Sequence, residues 1–256
     1  MRTPIDHKIQ DEPRIFPAQS IHLCFINTGL NSTAPIMTAM ESSSQQSVKF
    51  RLPPSFLEGI EDKSWVPTPE DWLYGRWHMT HTSQRYYLEG TKNFVIQYGP
   101  VMNGVWPCSN QEMVSLTPLT QPDRVYTAFG IDTPVVGLHD AWLCQCTGHL
   151  SHISDYVAFL AWGKDNNDID WVVMYSTPPP GATVGLPAQT AIMSRALCGP
   201  DESTVEKIKE GLHALGDVEL SSMVDNIRSL PHDSVVPERP TCEYNVVQNV
   251  DSLTRF

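Results

Sequence analysis

Positive charge is scarce in this sequence of 256 residues: 17 lysines and arginines stand against 29 aspartates and glutamates, a formal net charge of −12. No basic run forms a patch able to track a phosphate backbone, so nucleic acid is not an expected partner. Long apolar runs are missing too, none reaching the roughly 18 residues that span a bilayer as a helix. The expectation is a soluble, cytoplasmic protein with no membrane partner. The six cysteines, Cys24, Cys108, Cys144, Cys146, Cys198 and Cys242, have neither the paired spacing of a zinc site nor the density of a disulfide framework. They read as reduced thiols, with Cys144 and Cys146 packing on one face of a strand. A phosphate loop, a Gly-x-Gly-x-x-Gly turn and a nucleophile elbow are also lacking, which removes support from phosphoryl transfer, hydride transfer and hydrolysis. No cofactor and no metal is expected. The histidine pairs at three-residue spacing, His78 with His81 and His149 with His152, put their rings on opposite faces of a strand.

What the sequence does hold is a series of short β-like segments. The stretch from Asp71 to Thr82, with Gly75 two residues ahead of Trp77, opens it. A glycine there lets the backbone bend sharply into a strand and the indole turn inward. If Trp77 points in, parity takes Met79 and His81 with it, while His78 and Thr80 face outward. Further strand-like segments fall at 93–98, 113–116, 124–130, 141–149, 156–162, 171–176 and 188–197, with Gly, Pro, Asn and Asp between them. That spacing suits an antiparallel meander, and about eight strands can close a small ligand-binding barrel.

Beyond Pro200 the period changes. Ser203-Thr204-Val205-Glu206 is a capping-box pattern, and Val205, Ile208, Leu212 and Leu215 follow at helical spacing. A second amphipathic stretch runs from Leu220 to Leu230 and stops at Pro231. The expected class is mainly β, an antiparallel barrel of about eight strands with C-terminal helices on its exterior. One domain is expected over 48–231. The arm at 1–47 has no sustained period and is expected to be disordered, with Met40 an alternative start; the tail at 232–256 reads as loop or strap. Residues 50–69, interrupted by prolines, are expected to form a short helix or a lid across one barrel mouth.

The segment from Gly75 to Thr82, Gly130-Ile131-Asp132-Thr133, Trp171-Val172-Val173-Met174-Tyr175 and Ile192-Met193-Ser194-Arg195 together resemble a family of fungal lipocalin-like proteins, of the calycin type, over roughly residues 55–216. The resemblance implies a lipocalin-like barrel in which Trp77 packs under Arg195 at the closed end, both in structural roles. Some members of the wider group act as cyclases, isomerases or pericyclases in natural-product pathways, so it also implies a place in secondary-metabolite biosynthesis. The polar segment from Trp142 to Thr147 departs from the family pattern, where a more aromatic or glycine-rich strand is expected.

Polar groups scattered on aromatic walls are how small-molecule sites are generally built. By parity Trp77, Met79 and His81 share a face, as do Trp171, Val173 and Tyr175, and likewise Tyr156, Ala158, Leu160 and Trp162. Met79, Tyr98, Tyr156, Trp162 and Trp171 are the expected ligand contacts. For 141–149 both faces are mixed, and either Leu143, Gln145, Thr147 and His149 or Trp142, Cys144 and Cys146 turn inward. His81 is the first choice for proton transfer, because imidazole titrates near neutrality. Tyr175 and His149 would orient a carbonyl or phenol. Asp132 and Asp140, the latter beside His139, could supply a carboxylate at the mouth; their ordinary roles are a turn residue bonding its own backbone and a solvated side chain.

Two functions fit. One is a cofactor-independent enzyme that promotes cyclisation, pericyclase-like isomerisation or dehydration of a small hydrophobic polyketide, terpenoid or alkaloid intermediate, by holding a reactive conformer and stabilising developing charge. The other is a non-catalytic binder or carrier of a small apolar ligand. A barrel filled by its own side chains would be a third case.

Overall fold

The computed structural model describes residues 48–69, 71–101 and 109–233. The arm at 1–47 and all but the first two residues of the tail lie outside the described residues. Eight strands run up and down: β1 (Gly75–Thr82), β2 (Thr91–Pro100), β3 (Asn110–Pro118), β4 (Tyr126–Pro134), β5 (Ala141–Cys146), β6 (Ser154–Lys164), β7 (Asp170–Thr177) and β8 (Gln189–Ser194). Each pairs antiparallel with the next, and β8 returns to β1 at His78↔Ser194 and Met79↔Met193, which closes the barrel. Closure removes both sheet edges. A short helix, α1 (Arg85–Gly90), links β1 to β2.

Trp77 closes one end. Its Nε1 donates to Leu73 O at 2.7 Å, and the guanidinium carbon of Arg195 lies 3.9 Å from its ring centroid. Arg195 in turn donates to the carbonyls of Trp72, Tyr74 and Arg76. Gly75 makes room for this. Its φ is +99°, and a Cβ there would fall 3.2 Å from Arg195 Nη1.

Residues 50–69 form an irregular strap rather than a helix, with one turn at Ser55–Gly59. Trp65 packs into the barrel's own apolar cluster, and Trp162 Nε1 donates to Val66 O at 2.9 Å. The strap is held by Asp140, whose carboxylate accepts from Trp65 Nε1 and from Thr68 N and Oγ1 at 2.9, 2.9 and 2.6 Å. Asp140 is therefore half-buried and structural, not solvated. Nearby, Arg51 is 2% exposed, and its charge is matched by Glu61 at 2.9 Å and by the carbonyls of Phe159, His139 and Asp140.

Two helices cover the outside of β6–β8. Helix α2 (Glu202–His213) starts at Asp201, whose carboxylate accepts from Thr204 N at 3.0 Å, and α3 (Val218–Asp225) starts likewise at Asp217. Val205, Ile208 and Leu212 of α2 and Leu220 and Val224 of α3 pack on Leu160, Ala161, Trp171, Val173 and Ile192. The stretch expected to stay helical to Leu230 leaves the helix at Asp225. Residues Arg228–Ser229 form a short strand, β9, beside His81 and Thr82, on the edge of β1 that β2 has already left. Leu230 N donates to Thr80 O, Asn93 N donates to Pro231 O, and the Leu230 side chain enters the interior cluster.

The alternation of β1 and β6 is broken once in each. Register shifts fall between Met79 and His81 on β1 and between Phe159 and Ala161 on β6. An extra residue in one strand reverses the parity beyond it.

Candidate functional site

Strand register places a polar cluster inside the barrel. Tyr98 on β2 pairs with Glu112 on β3, Glu112 with Gly130 on β4, and Gly130 with Cys146 on β5. The adjoining row is Asn110, Asp132, Cys144 and Asp155. Directly paired residues, and residues two apart on a strand, share a face. Tyr98, Cys144, Val157 and Phe159 belong to the same apolar cluster as Trp77, so both rows face the interior. Trp142 packs edge-on to Phe159 at 5.0 Å, and Tyr87 of α1 reaches in against Phe94 at 4.9 Å. Glu112, Val114, Leu116, Trp142 and Trp162 keep partial exposure although they sit on the inner face. Their exposure keeps this part of the interior open to solvent.

The side-chain ligand atoms of Glu112, Asp132 and Cys144 all lie within 4.8 Å of one another. Asp132 is 1% exposed. The Cys144 thiol hydrogen-bonds its carboxyl, yet its Oδ1 has no hydrogen-bond partner. Gly130 leaves the space that the Glu112 side chain fills: a Cβ there would be 2.9 Å from Glu112 Oε1.

Burial, joined at Glu112, Tyr98 and Cys144 by the charges of neighbouring acids, shifts this cluster toward its protonated forms. Burial raises Asp132 to about 7, an effect the Cys144 hydrogen bond partly offsets. Glu112 is pushed well above the usual carboxylate range by burial, then by the charges of Asp132 and Asp155. Burial raises Asp155 as well. The phenol of Tyr98 and the thiol of Cys144 are raised by burial first and by Glu112 and Asp132 second. Every charge partner of these groups is itself an acid. A carboxyl pair in such surroundings exchanges protons as a unit, one member an acid and the other a base near neutral pH. A divalent cation could use the same donors only after all three lost their protons, and burial opposes each loss.

The expected site residues divide between the two faces. Met79, Tyr98 and Trp162 face the interior, with Trp77 beneath them. Trp171 and Tyr175 do share a face, but it is the outer one, under α2 and α3. Tyr156 is also outside, stacked on Phe56 at 4.7 Å, because the β6 register shift separates it from Trp162. The shift in β1 likewise turns His81 from the interior. Its Nδ1 lies 3.1 Å from Thr80 Oγ1, and burial, then Lys209 of α2, then His232 lower its pKa to about 4. His149 is exposed in a 3-10 turn between β5 and β6. On β5 it is Trp142, Cys144 and Cys146 that turn inward. Asp132 sits within β4 and not in a turn.

Sequence reasoning missed Glu112 and Asp155. The signal for Glu112 lay in Asn110-x-Glu112-x-Val114-x-Leu116, an alternation that carries polar groups onto an apolar face.

No protein-family model matches the chain. Among curated proteins it is 70% identical over 220 residues to "Botcinic acid biosynthesis cluster B protein 12" of Botryotinia fuckeliana (strain B05.10), covering 86% of this chain and 100% of that protein. Among solved structures it is similar to H1 crustacyanin from the lobster Homarus americanus, at 11% identity over 73% of this chain and 91% of that one, with a TM-score of 0.47. It is also similar to the cockroach allergen Per a 4, at 11% identity over 67% and 93% with a TM-score of 0.46, and to the bovine lipocalin allergen Bos d 2, at 10% over 61% and 91% with 0.40. The barrel assignment rests on the chain's own closed strand pairing. By its identity to the Botryotinia protein across that protein's whole length, the chain belongs to the same family as that protein.

Proposed function

We propose that this protein is a cofactor-independent enzyme of secondary-metabolite biosynthesis that promotes cyclisation, isomerisation or dehydration of a hydrophobic intermediate inside the barrel. The name of its Botryotinia relative supports the pathway setting. The observation that carries the chemistry is the Glu112–Asp132 pair, two carboxyls on neighbouring strands in an aromatic-walled lumen. Glu112, held neutral, donates a hydrogen bond or a proton to a carbonyl or departing hydroxyl oxygen. Asp132, titrating near neutrality, takes a proton from the substrate. Donors already aimed at developing charge need no reorganisation during the reaction, and the walls of Phe94, Phe159, Trp142 and Trp162 would fix the folded conformer of the substrate.

The test is incubation of the full chain with an extract of the organism that makes it, followed by chromatography for retained compounds and for changed masses or isomer ratios. Conversion that disappears in Glu112→Gln and Asp132→Asn, with both variants folded, supports the enzyme. A compound retained unchanged would make the protein a carrier and end the catalytic reading.

A further inference from the structure

We infer that the lumen takes a neutral substrate bearing both a hydroxyl group and an α,β-unsaturated carbonyl, the hydroxyl meeting Asp132 and the carbonyl oxygen meeting Glu112. This rests on the enzymatic reading above and specifies its substrate class.

Three observations lead there. First, Asp132 Oδ1 is a buried oxygen on the lumen wall with no partner. An unmade hydrogen bond at such a site is costly, and a ligand hydroxyl satisfies it. Second, among the described residues the polar groups in and around the lumen include Asn110, Glu112, Asp132, Asp155, Tyr87, Tyr98 and the thiols of Cys144 and Cys146, and the charges acting on Glu112, Tyr98, Cys144 and Cys146 come from acids alone. A carboxylate or phosphate entering this space meets like charge and, among the described residues, no cation, which disfavours anions. Third, Gly130 cradles Glu112 beside Asp132, so two groups of one substrate are met at once by adjoining strands.

Conjugate addition is a balanced step that this placement can carry. Asp132, as carboxylate, takes the hydroxyl proton while the hydroxyl oxygen attacks the β-carbon. A C–O bond forms, the C=C π bond shifts to make an enol, and Glu112 gives its proton to the carbonyl oxygen. In the return step the protonated Asp132 delivers its proton to the α-carbon, and the Glu112 carboxylate removes the enol proton. Both side chains end as they began. The product is a cyclic ether isomeric with the substrate, with no oxidant, reductant or water consumed.

The experiment is calorimetric titration of the full chain at about pH 8 with four probes of equal chain length: a hydroxydecenone carrying the enone and a hydroxyl, decanone, decanoate and decylamine. The hydroxydecenone is expected to bind most tightly, with decanoate weaker by about tenfold or more. In Asp132→Asn and Glu112→Gln its advantage over decanone is expected to shrink by about threefold or more. The wild-type series stands alone if a variant fails to fold. Decanoate binding equal to the hydroxydecenone, tightest binding of decylamine, or no binding of the hydroxydecenone would overturn the assignment. Conversion in the extract assay together with anion binding would sink the substrate class alone. The expected order of binding without conversion in that assay would sink the enzymatic reading and keep the ligand class.

Discussion

Gly130 and Glu112 are paired across β4 and β3, and a Cβ on Gly130 would lie 2.9 Å from Glu112 Oε1 and 3.1 Å from its Cγ. The glycine holds the carboxyl in place by being absent from its space. Gly130→Ala is therefore expected to displace Glu112, at a stability cost of about 1–3 kcal/mol. Any turnover should fall much more steeply than the melting temperature. Thermal melts and the extract assay on the same preparation measure both; unchanged turnover would show that the position of Glu112 does not matter.

Stability should depend on pH above neutrality. Asp132 and Glu112 have pKa values raised in the folded state, so folding binds their protons. Their contribution is full below the ordinary carboxylate range and is lost as pH rises, for Asp132 through about 7. His81 works oppositely, since its lowered pKa removes stability as pH falls from 6.5 to about 4. Above 6.5 the carboxyl effect remains, with a limiting slope of about 1.4 kcal/mol per pH unit for each proton released, and toward pH 9 the thiols of Cys144 and Cys146, whose pKa values burial also raises, add to it. Denaturant midpoints from pH 6.5 to 9 should decline in the wild type, and Asp132→Asn should flatten that decline.

His81→Ala is expected to change turnover by less than about twofold and to cost about 1 kcal/mol of stability, because the side chain faces α2 and not the lumen. Tyr175→Phe should behave the same way. Steady-state rates on the converted compound decide this, and a hundredfold loss in either variant would return the chemistry to the outer face.

Arg195→Met removes the cation over Trp77 and three hydrogen bonds to the carbonyls of Trp72, Tyr74 and Arg76. A loss of about 2–4 kcal/mol is expected. Chemical denaturation measures it, and a loss below about 0.5 kcal/mol, the scale of an ordinary surface substitution, would show that the closed end holds without the arginine.

The barrel was legible because its cues are local. Gly75 before Trp77, turn residues at 165–168, and the change of period after Pro200 each act within a few residues. The inner face was harder to read. Trp171, Val173 and Tyr175 look like pocket residues because strands buried on both faces are apolar throughout, and nothing in β7 alone says that α2 and α3 lie over that side. His81 and Tyr156 were misdirected by single register shifts, which depend on partner strands far away in sequence. Glu112, Asp132 and Cys144 come from three strands, so their meeting is a property of the closed sheet. Its local traces were the departure noted at 142–147, where Cys144 lies, and the polar and apolar alternation from Asn110 to Leu116.

The short strand β9 and Leu230 fill the gap where β1 and β2 diverge. During synthesis this leaves the seam of the barrel open until residues 228–231 have emerged from the ribosome, after all eight strands are already available. The nascent chain thus carries an exposed length of β1, a template for mispairing with other chains. Among the described residues the cover of that edge is a segment of four residues, and truncation ahead of Arg228 should yield a protein that aggregates as it is made, even though none of the eight barrel strands has been removed.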